Sequence, residues 1–216
     1  MTPPDGLAAS LRLVVILDAE APGGRDLADL ASRAVAGGAT MLQVRGKRLG
    51  AADLAALTRR ILAVAGDVPV IVNDRFDVAL ATRAAGCHLG QDDFPIAEAR
   101  MHAPAGFILG GSAGTPEEVA RCAAQGANYV GIGPIHATPS KSDAGAAIGV
   151  EGFALVHAAA PSLPAVAIGA VTARDAAALR AAGAAGLAVI SAVASAADPE
   201  RAARELRTAF DPAPSP

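Results

Sequence analysis

The stretch Leu13-Val14-Val15-Ile16-Leu17-Asp18-Ala19-Glu20 decides how the rest of the chain is read. Its short apolar, β-branched run reads as a strand. An open doubly wound sheet that holds a dinucleotide places a Gly-x-Gly turn directly after its first strand. Asp18-Ala19-Glu20 stands at that place, which argues against the open sheet. Outward from this stretch, similar runs recur at Met41–Arg45, Val68–Asp74, Cys87–Gly90, Phe107–Ser112, Tyr129–Pro134, Ala165–Ala170 and Gly186–Ser191; with Leu13–Leu17 they make eight. Helix-favouring stretches lie between them, among them Asp26–Ala36, Ala51–Val64, Pro116–Gln125, Thr172–Ala182 and Pro199–Phe210. Gly37-Gly38, Gly86, Gly126 and Gly183 sit between a helix and the next strand, where glycine suits a left-handed cap and a tight turn.

Strand–helix alternation calls for a parallel sheet, and eight such units in 216 residues call for the α/β class with a closed (β/α)8 TIM barrel. One catalytic domain is expected over residues 11–210, with flexible tails at 1–10 and 211–216. The irregular stretch His136–Gly149 reads as a mobile lid, with a tolerated insertion as the alternative.

Composition removes several functions. Eighteen Lys and Arg against 21 Asp and Glu give a net charge of −3, without the basic surplus of a nucleic-acid binder. Aromatic residues are only 3% of the chain, too few for a platform that stacks single-stranded bases. Hydrophobic residues make up 52%, enough for a large core. Cys87 and Cys122 are far apart and form no CxxC pair, so they read as buried thiols rather than zinc ligands. No signal-like segment and no apolar run long enough to span a bilayer is visible, so a soluble cytoplasmic protein is expected. The Ala-rich outer helices are compatible with a homo-oligomer.

In such barrels the chemistry collects where strands end. In Met41–Lys47, period two places Gln43, Arg45 and Lys47 on one face and Leu42 and Val44 on the other. Two cations and an amide at the barrel mouth suit an anionic ligand, although Lys47 alone also reads as a solvated loop residue. Asp74 ends the third run, where one carboxylate taken alone reads better as a cap for the following helix. The fourth run ends in Asp92-Asp93, so adjacent strands bring carboxylates to one rim. Carboxylates without His or thiolate company are hard oxygen ligands that suit Mg²⁺ shared with a substrate phosphate; an ion network with Arg45 and Lys47 is the alternative. His88 reads as a core histidine bonded to a backbone group. Thr138, Ser140 and Lys141 offer hydroxyls and a cation that can close over a phosphate. Gly169, Ile190 and Ser191 end the last two runs, where these barrels place a phosphate cup. Two phosphate-friendly regions on one rim point to phosphorylated small molecules as partners.

Leu42-Gln43-Val44-Arg45-Gly46-Lys47, Asn73-Asp74-Arg75, His88-Leu89-Gly90-Gln91-Asp92-Asp93, Gly110-Gly111-Ser112, Val130-Gly131-Ile132-Gly133-Pro134 and Ala167-Ile168-Gly169 occur in an order that resembles the thiamine-phosphate synthase family, across roughly 13–210. The resemblance implies a transferase that joins 4-amino-2-methyl-5-hydroxymethylpyrimidine pyrophosphate to 4-methyl-5-(2-hydroxyethyl)thiazole phosphate. It implies Asp74 and Asp93 as Mg²⁺ ligands, and Arg45, Lys47, Asn73, Thr138, Ser140 and Lys141 on the pyrophosphate. Arg45, Lys47 and Lys141 are then the catalytic cations. Gln43 and Ser112 would contact the pyrimidine, and Gly169, Ile190 and Ser191 the thiazole phosphate. Three positions depart from the family pattern: Gly46 replaces a carboxylate, Gly114 a histidine, and Ala170 a glycine. A sister thiazole tautomerase and a non-catalytic phosphate-binding barrel are the alternatives; Gly114 argues against the tautomerase, whose acid–base histidine stands in that motif.

Overall fold

The computed structural model describes residues 6–21, 24–137 and 145–211. Its strands are β1 (Leu13–Asp18), β2 (Met41–Arg45), β3 (Val70–Asn73), β4 (Gly86–Leu89), β5 (Ile108–Ala113), β6 (Tyr129–Ile132), β7 (Ala165–Ile168) and β8 (Gly186–Val189). They pair in chain order, all parallel, and β8 returns to β1, so the sheet is a closed barrel. The helices among the described residues are α1 (Leu7–Ser10), α2 (Leu27–Ala36), α3 (Ala51–Leu62), α4 (Phe76–Thr82), α5 (Ile96–His102), α6 (Pro116–Ala124), α7 (Gly149–His157), α8 (Ala176–Ala181), α9 (Ser191–Ala194) and α10 (Pro199–Phe210). None is long and apolar enough to cross a membrane. The fold is the expected (β/α)8 TIM barrel.

Period two divides the core in two. Leu13, Val15 and Leu17 of β1, Leu42 and Val44 of β2, and Val70 and Val72 of β3 pack outward in the layer shared with the helices. Val14, Ile16, Met41, Ile71, Ile108, Tyr129, Val166 and Ala188 form a separate cluster inside the barrel, which Leu7 and Leu11 join. Leu7 and Leu11, one helical turn apart, are both buried. Inside the barrel, a Cβ at Gly110 would lie 2.4 Å from the Tyr129 ring, so a glycine on β5 is what admits the one tyrosine of the chain.

Several expected strands run past the observed ones at their carboxyl ends. Asp74, Pro134, Ala170 and Ser191 all lie beyond the ladder. The chain turns there: Asp74 and Ala170 adopt φ values of 63° and 49°. The helix expected from Thr172 begins only at Ala176, because the Thr172 N–H and hydroxyl both donate to the Asp175 carboxylate at 2.8 and 2.9 Å and hold a turn instead.

Candidate active site

A cavity of about 830 Å³ opens at the carboxyl ends of the strands. Gln43, Arg45, Lys47, Asn73, Asp74, Asp93, Ser112, Gly169, Ile190 and Ser191 all line it. Thr138, Ser140 and Lys141 lie outside the described residues, as does much of the lid expected over His136–Gly149.

Asp74 does not cap the next helix: α4 begins after Arg75 with no side-chain cap. Its N–H donates to the His88 carbonyl at 2.8 Å, and its left-handed backbone is one that Asp tolerates better than most residues. Its carboxyl group instead meets that of Asp93, which also accepts the Gly90 N–H at 2.6 Å. Burial, followed by the Asp93 carboxylate beside it, pushes the Asp74 pKa up to about 6, against the opposing pull of Lys47 and Arg45. Two carboxyl groups in contact are a donor set that a divalent cation relieves. No group of three or more His, Cys, Asp or Glu side chains suited to a metal occurs among the described residues. Two protein carboxylates, with water and substrate oxygens completing the shell, fit Mg²⁺.

The raised pKa carries a stability consequence. Folded Asp74 holds its proton up to about pH 6, whereas the unfolded chain releases it near 3.8, so stability falls as pH rises through that window. Metal-free wild type is therefore expected to lose melting temperature relative to Asp74→Asn between pH 4.5 and 7. Parallel thermal melts in chelator test this, and a constant gap between the two proteins would contradict the contact.

Arg45 has a partner that the sequence reading missed. Its guanidinium pairs with the Asp18 carboxylate at the end of β1; the two side chains are only 12% and 5% exposed. Asp18 also accepts the Glu20 N–H at 3.0 Å, and the Arg45 carbonyl accepts the Ala19 N–H at 2.9 Å. Asp18 follows an apolar strand just as Asp74 does, and that signal could have found it. Arg45 is thus held from β1, with Gly46 beside it in the chain. A Cβ at Gly46 would lie 2.7 Å from a Leu49 methyl.

His88 departs from its reading as a histidine tied to backbone. Its ring nitrogens face two side chains, with Nδ1 2.9 Å from the Tyr129 hydroxyl and Nε2 2.9 Å from the Ser112 hydroxyl. Period two explains this: His88 shares its face with Gly86, which points into the barrel, while Cys87 and Leu89 point to the helices. Both cysteines are buried and free, and desolvation pushes both thiols above their ordinary range, as expected of inert core residues.

At the opposite side of the mouth, β7 ends in two consecutive left-handed residues, Gly169 (φ 100°) and Ala170 (φ 49°). A Cβ at Gly169 would lie 2.5 Å from Pro134, so that position requires glycine. Beside it, β8 leads into α9 at Ser191, and Ile190, Ser191 and Ala192 line the cavity.

Known proteins resemble this chain in sequence and fold. The family model described as TMP-TENI, thiamine monophosphate synthase, matches residues 13–193. The chain is 47% identical over 197 residues to a thiamine-phosphate synthase of Methanoculleus marisnigri, covering 90% of this chain and 93% of that one. It is 46% identical over 197 residues to that of Moorella thermoacetica, with the same coverage. Among solved structures, a thiamine phosphate pyrophosphorylase from Pyrococcus furiosus superimposes with a TM-score of 0.85 at 34% identity, covering 95% of this chain and 98% of that one. On these matches, the chain belongs to the thiamine monophosphate synthase family of transferases.

Proposed function

We propose that the cavity joins 4-amino-2-methyl-5-hydroxymethylpyrimidine pyrophosphate to 4-methyl-5-(2-hydroxyethyl)thiazole phosphate, giving thiamine monophosphate and pyrophosphate. The observation that carries this reading is the meeting of the Asp74 and Asp93 carboxyl groups at a rim that also carries Arg45 and Lys47. Asp74 and Asp93 would hold Mg²⁺. When bound, the ion neutralises charge that builds on the pyrophosphate oxygens as the carbon–oxygen bond breaks.

The remaining work falls to the chain itself. Arg45, already oriented by Asp18, presents its guanidinium to the pyrophosphate with little left to reorganise. Lys47, Asn73, Thr138, Ser140 and Lys141 add charge and hydrogen bonds to the same group. Gln43 and Ser112 hold the pyrimidine deeper in the barrel. Gly169, Ile190 and Ser191 hold the thiazole phosphate so that its ring nitrogen faces the pyrimidine methylene. The pyrimidine bond ionises first, because the electron-rich aminopyrimidine stabilises the methylene cation, and the thiazole nitrogen then adds. Val14, Ile16, Val166 and Ile168 line the inner wall and limit the water that would otherwise trap this cation.

Pyrophosphate release is the test. It is expected only with both substrates and Mg²⁺ present, and to stop in chelator. Turnover of a thiazole carboxylate phosphate without metal would instead mark a tautomerase. Binding of thiazole phosphate with no pyrophosphate released would mark a non-catalytic barrel.

A further inference from the structure

Four side chains from four strands form a line inside the barrel, hydrogen-bonded from Tyr129 to Ser112. The Gln43 amide of β2 lies beside the hydroxyl of Tyr129 on β6. Tyr129 lies 2.9 Å from His88 Nδ1 on β4, and His88 Nε2 lies 2.9 Å from Ser112 Oγ on β5. Tyr129 is 1% exposed and Gln43 5%, so water cannot readily substitute for these bonds. Both ends of the line, Gln43 and Ser112, border the cavity.

A neutral imidazole has one N–H and one acceptor nitrogen, so the bonds along the line must all run in one direction. A phenol is a good donor and a poor acceptor, and an imidazole nitrogen is a strong acceptor. Tyr129 therefore donates to Nδ1, leaving the proton on Nε2, which donates to Ser112 Oγ. The Tyr129 oxygen, its hydrogen turned to Nδ1, then presents only lone pairs to the neighbouring Gln43 amide and draws the N–H side toward itself. The Gln43 carbonyl is thereby left to accept from the cavity, and the Ser112 hydroxyl to donate into it.

We propose that Tyr129 and His88 are positioning residues that lock Gln43 as acceptor and Ser112 as donor, so that the pair selects the amidine edge of a 4-aminopyrimidine. That edge carries an N–H donor beside a ring nitrogen lone pair. A 4-oxopyrimidine presents the reverse order, an acceptor oxygen beside a ring N–H. The locked pair leaves both of its groups facing like partners there. This inference rests on the pyrimidine site proposed above and adds the reason for its selectivity.

The experiment compares kcat/KM for the 4-amino pyrimidine pyrophosphate and its 4-oxo analogue, in wild type and in Tyr129→Phe. Wild type is expected to prefer the amino compound by about 10²-fold or more, because a mismatched donor leaves buried polar groups unpaired. Tyr129→Phe keeps the ring that fills the space over Gly110 but frees the His88 tautomer and the Gln43 amide. Its preference is expected to drop at least tenfold, with KM for thiazole phosphate within twofold of wild type. His88→Leu, which removes both nitrogens, is expected to lower the preference likewise and serves if the first variant does not fold. A wild type without preference, or a preference that survives in the variants, overturns the relay alone. A wild type that joins neither pyrimidine to thiazole phosphate overturns the functional reading and the relay with it.

Discussion

Asp93→Asn is expected to reduce pyrophosphate release by about 10³-fold, the scale seen when one group that stabilises developing charge is removed, while raising the melting temperature of the metal-free protein. The two effects have one origin. Asp93 is the charge that meets Asp74 in a half-buried setting, where two carboxylates repel. An asparagine keeps an oxygen for the Gly90 N–H but removes that repulsion, so the empty fold gains. It also leaves Asp74 as a lone carboxylate, so a divalent ion beside the pyrophosphate has one anionic protein ligand fewer and binds more weakly. Melts in chelator and pyrophosphate assays over a Mg²⁺ series read the two effects separately. A variant that is less stable than wild type, yet turns over at the wild-type rate, would remove the carboxylate pair from both roles.

Arg45→Met is the second large effect, and here stability and turnover fall together. Asp18 is nearly buried and would be left without its cation, which for a buried pair costs about 3–5 kcal/mol. Asp18→Asn in the same chain removes the stranded charge and is expected to recover most of that loss. Turnover should stay low in the double variant, because the guanidinium that meets the pyrophosphate is still gone. Denaturant unfolding and pyrophosphate release, measured on both variants, separate the structural share from the catalytic one. Recovery of activity together with stability would assign Arg45 to the fold alone.

Much of the site was legible because strand ends announce themselves. A polar residue closing an apolar run must leave the core, and in a parallel barrel every such end lies on one rim. Gln43, Arg45, Asp74 and Asp93 were found in this way and Asn73 and Ser112 through the family resemblance, and all reach the cavity. Asp18 carries the same signal and was passed over because its significance depends on Arg45, 27 residues later, lying opposite it in register. His88 was misread for a related reason. Its partners Tyr129 and Ser112 are 41 and 24 residues away, and no local pattern ties three strands to one point. The shortened start of α8 was hidden as well, because Thr172 and Asp175 fit a helical pattern until their side chains bond each other.

The periodicities of the chain alone settled the architecture and divided each strand into an inward and an outward face. Those choices depend only on burying apolar surface, which any local stretch expresses in its own residues. Pairing was decided by strand register. Asp18 against Arg45, Asp74 against Asp93, and His88 between Tyr129 and Ser112 exist only once neighbouring strands lie side by side and their ends share a rim. Electrostatics and hydrogen bonding act over a few ångströms of space whatever the distance along the chain, so these contacts belong to the tertiary structure.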